Sequence, residues 1–134
     1  MATHAVTSQD FNQVVESNDL VFVDFWATWC GPCRAFGPTF EKASEANPDV
    51  YFAKVDIDQN PDLAAAAKVQ AVPTLRVVKK QQIIFQQAGA LRASDLDDLI
   101  SQAKALDMDA AASDGNTASS GDAKVKTPSS QSER

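Results

Sequence analysis

The sequence predicts an α/β fold whose sheet is covered on both faces, and three features carry that expectation. Residues 20–26 (LVFVDFW) and 50–58 (VYFAKVDID) are short, rich in β-branched and aromatic side chains, and nearly continuous in apolarity. Runs of that length without a polar side read as strands buried on both faces. Around them apolar residues recur at helical spacing, and two later runs, 74–78 and 83–87, lie close enough to pair as an antiparallel hairpin.

The elements follow in order. Thr7 or Ser8 is placed to cap a first helix whose Phe11, Val14 and Val15 share a face. After the first strand, helical periodicity runs from Gly31 to about Ala46 with Phe36, Phe40 and Ala43 on one side, and Asn47-Pro48 ends it. Pro38 removes one helical hydrogen bond and is expected to kink this helix. Asn60 stands as a cap with Pro61 at the first helical position, and residues 63–68 continue a short alanine-rich helix. The hairpin follows. Its connection, Lys79-Lys80-Gln81-Gln82, lacks the Asn-Gly or Gly of a tight turn, so a longer or less ordered turn is expected. A last helix starts near Ser94, with Leu96, Leu99, Ile100, Ala103 and Leu106 on one face.

A chain of 134 residues that is 44% hydrophobic suits one domain, placed at residues 1–107. Residues 109–134, DAAASDGNTASSGDAKVKTPSSQSER, contain one Val and no Leu, Ile, Met, Phe, Tyr or Trp. Such a stretch buries too little to offset its ordering entropy, so residues 108–134 are expected to be a disordered tail. A net charge of −6 argues against nucleic acid and anionic membranes as partners, because both would repel it. Residues 1–10, MATHAVTSQD, show no secretory pattern, and no apolar run nears a bilayer span, so a cytoplasmic protein is expected.

The chain has two cysteines, Cys30 and Cys33, separated by Gly31-Pro32, and one carboxylate, Asp24, interrupts the apolar strand upstream of them. In a cytoplasmic setting a disulfide is usually transient and catalytic rather than a staple. A zinc site wants about four ligands, and two thiols with a distant His4 fall short. Cys30 follows a strand and opens a helix, where unpaired N–H groups and the helix dipole favour a thiolate, the attacking species. Cys33 lies one turn further in and is expected to be the more buried, resolving thiol. Pro32 is tolerated in the first turn and stiffens it. Asp24 shares its side of the strand with Leu20, Phe22 and Trp26, so desolvation should raise its pKa. It is then suited to take a proton from Cys33. The alternative is a structural aspartate paired with Lys54 of the neighbouring strand.

Four features together resemble the thioredoxin family over about residues 2–106. They are Asp24 to Trp26 leading into Trp29-Cys30-Gly31-Pro32-Cys33, then Pro38, then Val72-Pro73-Thr74, then Gly89 before the last helix. The resemblance implies a thioredoxin fold, a mixed five-stranded sheet flanked by four helices, and a dithiol that reduces protein disulfides. It implies a cis bond before Pro73, which would otherwise read as a trans proline opening an edge strand. It also implies that Lys54 tunes Asp24, and that Trp29, Gly31, Pro32, Val72, Gly89 and Ala90 form a flat apolar surface for extended substrates. Ala71 and Arg34 depart from commoner residues, glycine and lysine, without touching the dithiol.

Gly31-Pro32 supplies no charge to stabilise the reduced thiolate strongly, so the pair belongs on the reducing side. The leading function is a general protein disulfide reductase with no bound cofactor. It would be monomeric, act on disulfide-containing proteins and, by family analogy, be recharged by an NADPH-dependent flavoprotein, thioredoxin reductase. A disulfide oxidase or isomerase, and a binding or chaperone-like module using the same apolar patch, are the alternatives.

Overall fold

The computed structural model describes residues 2–108, and the compact unit runs to Lys104. The tail expected over 108–134 lies, from residue 109 on, outside the described residues. The elements are β1 (Thr3–Ala5), α1 (Phe11–Ser17), β2 (Leu20–Trp26), α2 (Gly31–Ala46), β3 (Tyr51–Asp56), α3 (Pro61–Ala66), β4 (Thr74–Lys79), β5 (Gln82–Ala88) and α4 (Ala93–Ala105).

They build a five-stranded mixed sheet in the order β1-β3-β2-β4-β5. β3 pairs in parallel with β1 and β2, while β4 runs antiparallel to both β2 and β5. β2 is thus central, which accounts for its apolarity on both sides. Its even residues Leu20 and Phe22 meet Phe36 and Phe40 of α2 and Leu96 and Ile100 of α4. Its odd residues Val21, Val23 and Phe25 meet Phe11 of α1 and half-buried Leu63 of α3. Each fully buried side chain of this kind contributes about 1.5–3 kcal/mol.

Several local expectations are corrected. The N-cap of α1 is Asp10 rather than Thr7 or Ser8, and the Thr7 carbonyl receives the Asp10 and Phe11 N–H groups. Asn60 occupies the α3 cap position without capping, because its side chain accepts from Ser8 N–H and donates to the Asp56 carbonyl. The β4–β5 turn is tight: Lys79 pairs with Gln82, and Lys80 and Gln81 take φ of 49° and 67°. Lys80 N–H donates to the Asp19 carbonyl at 2.8 Å, so a tertiary bond holds a turn that its own residues disfavour.

Candidate active site

The end of β2 and the start of α2 bring the two cysteines together. Cys30 is the N-cap of α2, extended at φ −90° and ψ 113°, and its Sγ accepts the Cys33 N–H at 3.1 Å. Cys33 sits within the first turn. The two are joined by a disulfide, with Cα atoms 5.3 Å apart. The expected difference in burial is absent, since each is 4% exposed. Bonded sulfurs in one turn share one environment, so any asymmetry between them rests on position in the helix rather than on depth. Pro32 stands in the first turn of α2, where a missing N–H costs nothing.

The peptide between Val72 and Pro73 is cis, and the Val72 carbonyl lies 3.6 Å from Cys30 Sγ. The Gly89 N–H donates to the Pro73 carbonyl at 2.7 Å, from a backbone with φ 106° that favours glycine. Trp29 is 64% exposed. Gly31, Pro32, Gly89 and Ala90 are exposed and Val72 is half-buried. Of the sequence-derived residues, Gly31 and Pro32 lie between the two cysteines, Val72 lies beside Cys30, and Gly89 is bonded to Pro73. One was missed: Asp58 accepts the Trp29 indole N–H at 2.8 Å. The neighbouring Asp56 carboxylate, accepting the Asp58 and Gln59 N–H groups, shapes the turn that presents it. Nothing in VDID alone marks Asp58 for a tryptophan nearly thirty positions upstream.

Asp24 is 1% exposed, and neither of its carboxylate oxygens has a hydrogen-bond partner. Burial pushes its carboxyl up to about 7, and the Lys54 ammonium opposes that without cancelling it. Lys54 stands opposite Asp24 in the β2–β3 register, and its Nζ lies 5.1 Å from the Trp26 ring centroid. Trp26 packs in turn against the cluster of Ala27, Cys30 and Cys33. The indole thus links the ammonium that faces Asp24 to the disulfide. Such an acid can exchange a proton near neutral pH, and a dithiol at this place can exchange with another disulfide.

Among the described residues no group of three or more His, Cys, Asp or Glu is placed to hold a metal ion. Nor is any helix there long and apolar enough to cross a membrane.

The sequence profile of the thioredoxin family matches residues 2–102. A Streptomyces coelicolor protein that carries the name thioredoxin 2 provisionally is 50% identical over 108 residues, 81% of each chain. The thioredoxin of Mycoplasma pneumoniae is 37% identical over 102 residues, 76% of this chain and 100% of its own. A mutant thioredoxin from Halobacterium salinarum has a solved structure that superposes with a TM-score of 0.73 at 34% identity, covering 78% of this chain and 92% of that one. With the fold, the bracketed cysteines and the cis-proline all in place, the chain belongs to the thioredoxin family, and it is a thiol-disulfide oxidoreductase.

Proposed function

We propose that this protein is a general protein disulfide reductase. The reduced Cys30 thiolate attacks one sulfur of a target disulfide, forms a mixed disulfide and expels the other target sulfur as a thiolate. The Cys33 thiol then loses its proton to Asp24 and attacks the Cys30 sulfur. The second target thiolate leaves, and the pair ends as the Cys30–Cys33 disulfide. Two electrons have passed from the dithiol to the target.

The observation that carries this reading is the disulfide at the N-terminus of α2, facing the Val72 carbonyl beside an exposed Trp29. In the thiolate state, the Cys33 N–H and the helix N-terminus favour the charge on Cys30. Lys54 tunes Asp24, while Pro32 keeps the turn stiff and Gly31-Pro32 brings no competing charge. Trp29, Val72, Pro73, Gly89 and Ala90 receive an extended substrate backbone. The cycle is closed by an NADPH-dependent flavoprotein, thioredoxin reductase, in the reducing setting of the cytoplasm.

Insulin reduction by dithiothreitol supplies the test. Wild type should accelerate the appearance of insoluble B chain, and the Cys30→Ser, Cys33→Ser double variant should match the uncatalysed rate. Equal acceleration by both proteins would reject the reading.

A further inference from the structure

The segment that carries Val72 leaves α3 through an ending of Schellman type. Val69 N–H donates to the Ala64 carbonyl and Lys68 N–H to the Ala65 carbonyl, each at 3.0 Å, with Lys68 at φ 59°. The Ala67 carbonyl takes no part in that motif. It accepts Gln86 Nε2 at 2.9 Å and Arg76 Nη2 at a weaker 3.4 Å, both reaching over from the sheet. Arg76 and Gln86 are directly opposed across β4 and β5, and Arg76 Nε donates to Gln86 Oε1 at 2.7 Å. That bond fixes the orientation of the amide, leaving its NH₂ no choice but to face Ala67. The guanidinium also lies over the Phe25 ring, 5.9 Å from its centroid.

The chain just past β5 then reaches the substrate segment a second time, three residues later, through the Gly89 N–H on the Pro73 carbonyl. Thr74 Oγ1 donates to the Ala71 carbonyl at 2.6 Å. The chain from Ala67 to Pro73 is therefore pinned at Ala67, Ala71 and Pro73, and the first pin is a side chain 19 positions away.

We propose that Gln86, oriented by Arg76, is a positioning residue: it fixes the C-terminal end of α3 and so the placement of the Val72 edge against Cys30. The proposal rests on the reading of that edge as the place where protein substrates pair. It specifies that the clamp acts on extended protein disulfides and not on the intrinsic reactivity of Cys30. A small aromatic disulfide needs no backbone pairing and should not sense it.

The experiment compares full-length wild type with Gln86→Leu and Gln86→Glu, reading KM and kcat for insulin, the rate with 5,5′-dithiobis(2-nitrobenzoate), and Tm. Gln86→Leu removes the donor and its partner for Arg76. Gln86→Glu keeps an acceptor for Arg76 and the cross-strand pair, but offers the Ala67 carbonyl no donor. In both, KM for insulin should rise about three- to tenfold, the size of one lost hydrogen bond, while kcat and the small-disulfide rate stay within about twofold. An insulin KM within twofold of wild type in Gln86→Glu overturns the proposal, even if Gln86→Leu folds too poorly to measure. So does an equal loss on both substrates, which would mark general damage. A wild type that reduces neither substrate rejects the underlying reductase reading, and the clamp with it.

Discussion

Asp24 is a carboxylate whose folded environment opposes its charge. Its folded pKa of about 7 lies above the unfolded value near 3.9, so the folded state holds the proton more tightly between those two pH values. Stability from this group is therefore complete below about pH 4, falls as pH rises, and is down by about 4 kcal/mol once pH passes the folded pKa. Asp24→Asn in the oxidised protein should gain about 2–4 kcal/mol over wild type at pH 7.5 and almost nothing near pH 3.5, measured by denaturant melts. Resolution should move the other way. Stopped-flow release of the second target thiol should slow in Asp24→Asn at neutral pH and recover as the medium becomes alkaline enough to ionise Cys33, while the first attack changes little. A variant with the wild-type pH dependence of stability would remove Asp24 from the mechanism. The burial of Asp24 was legible in the sequence, because a lone charge inside LVFVDFW shares the side of Phe22 and has nowhere else to point. The Trp29–Asp58 bond was not, since it joins two exposed loops that no periodicity connects.

Elements were legible where periodicity was long and obscure where tertiary contacts decide. α2 runs from Gly31 to Ala46 as read, since its apolar stripe and terminal Asn47-Pro48 are local signals. β1 has only three residues, and its pairing with β3 is invisible to local pattern; the family resemblance alone implied a fifth strand. The β4–β5 ladder shifts register between Val77 and Val78, a bulge that lets consecutive Ile84 and Phe85 both pack on the α2–α4 side and leaves Ile83 56% exposed. The turn between these strands provides a stability prediction. Both Lys80 and Gln81 hold left-handed backbones that disfavour side chains, whereas Asn-Gly adopts them readily. Lys80→Asn with Gln81→Gly should add about 1 kcal/mol and raise Tm by roughly 4 °C, provided the Asp19 bond to residue 80 persists. An unchanged or lower Tm by calorimetry would mean that the tertiary bond has already absorbed the strain.

At the scale of the molecule, the chain carries a net charge of −6, while Trp29, Gly31, Pro32, Val72, Gly89 and Ala90, the residues proposed to meet the substrate, are uncharged. Under the proposed function, a surface of this composition reads backbone and apolar area rather than charge. In the proposed function, the absence of charge in Gly31-Pro32 keeps the pair reducing. Pro32→His would place a cation beside the Cys30 thiolate and stabilise the reduced form, raising the reduction potential by roughly 30 mV for each unit by which the thiol pKa falls. Equilibration with glutathione buffers measures this, and an unchanged or lower potential would show that Gly31-Pro32 does not keep the pair reducing. The division of labour between the two cysteines is the core of the account. Its most direct test mixes each reduced single variant with excess disulfide-bonded protein and weighs the intact products by mass spectrometry without reductant. Cys33→Ser should accumulate a one-to-one adduct through Cys30 that dithiothreitol releases, and Cys30→Ser should accumulate none. An adduct on Cys30→Ser with none on Cys33→Ser would contradict the assignment of nucleophile and resolving thiol.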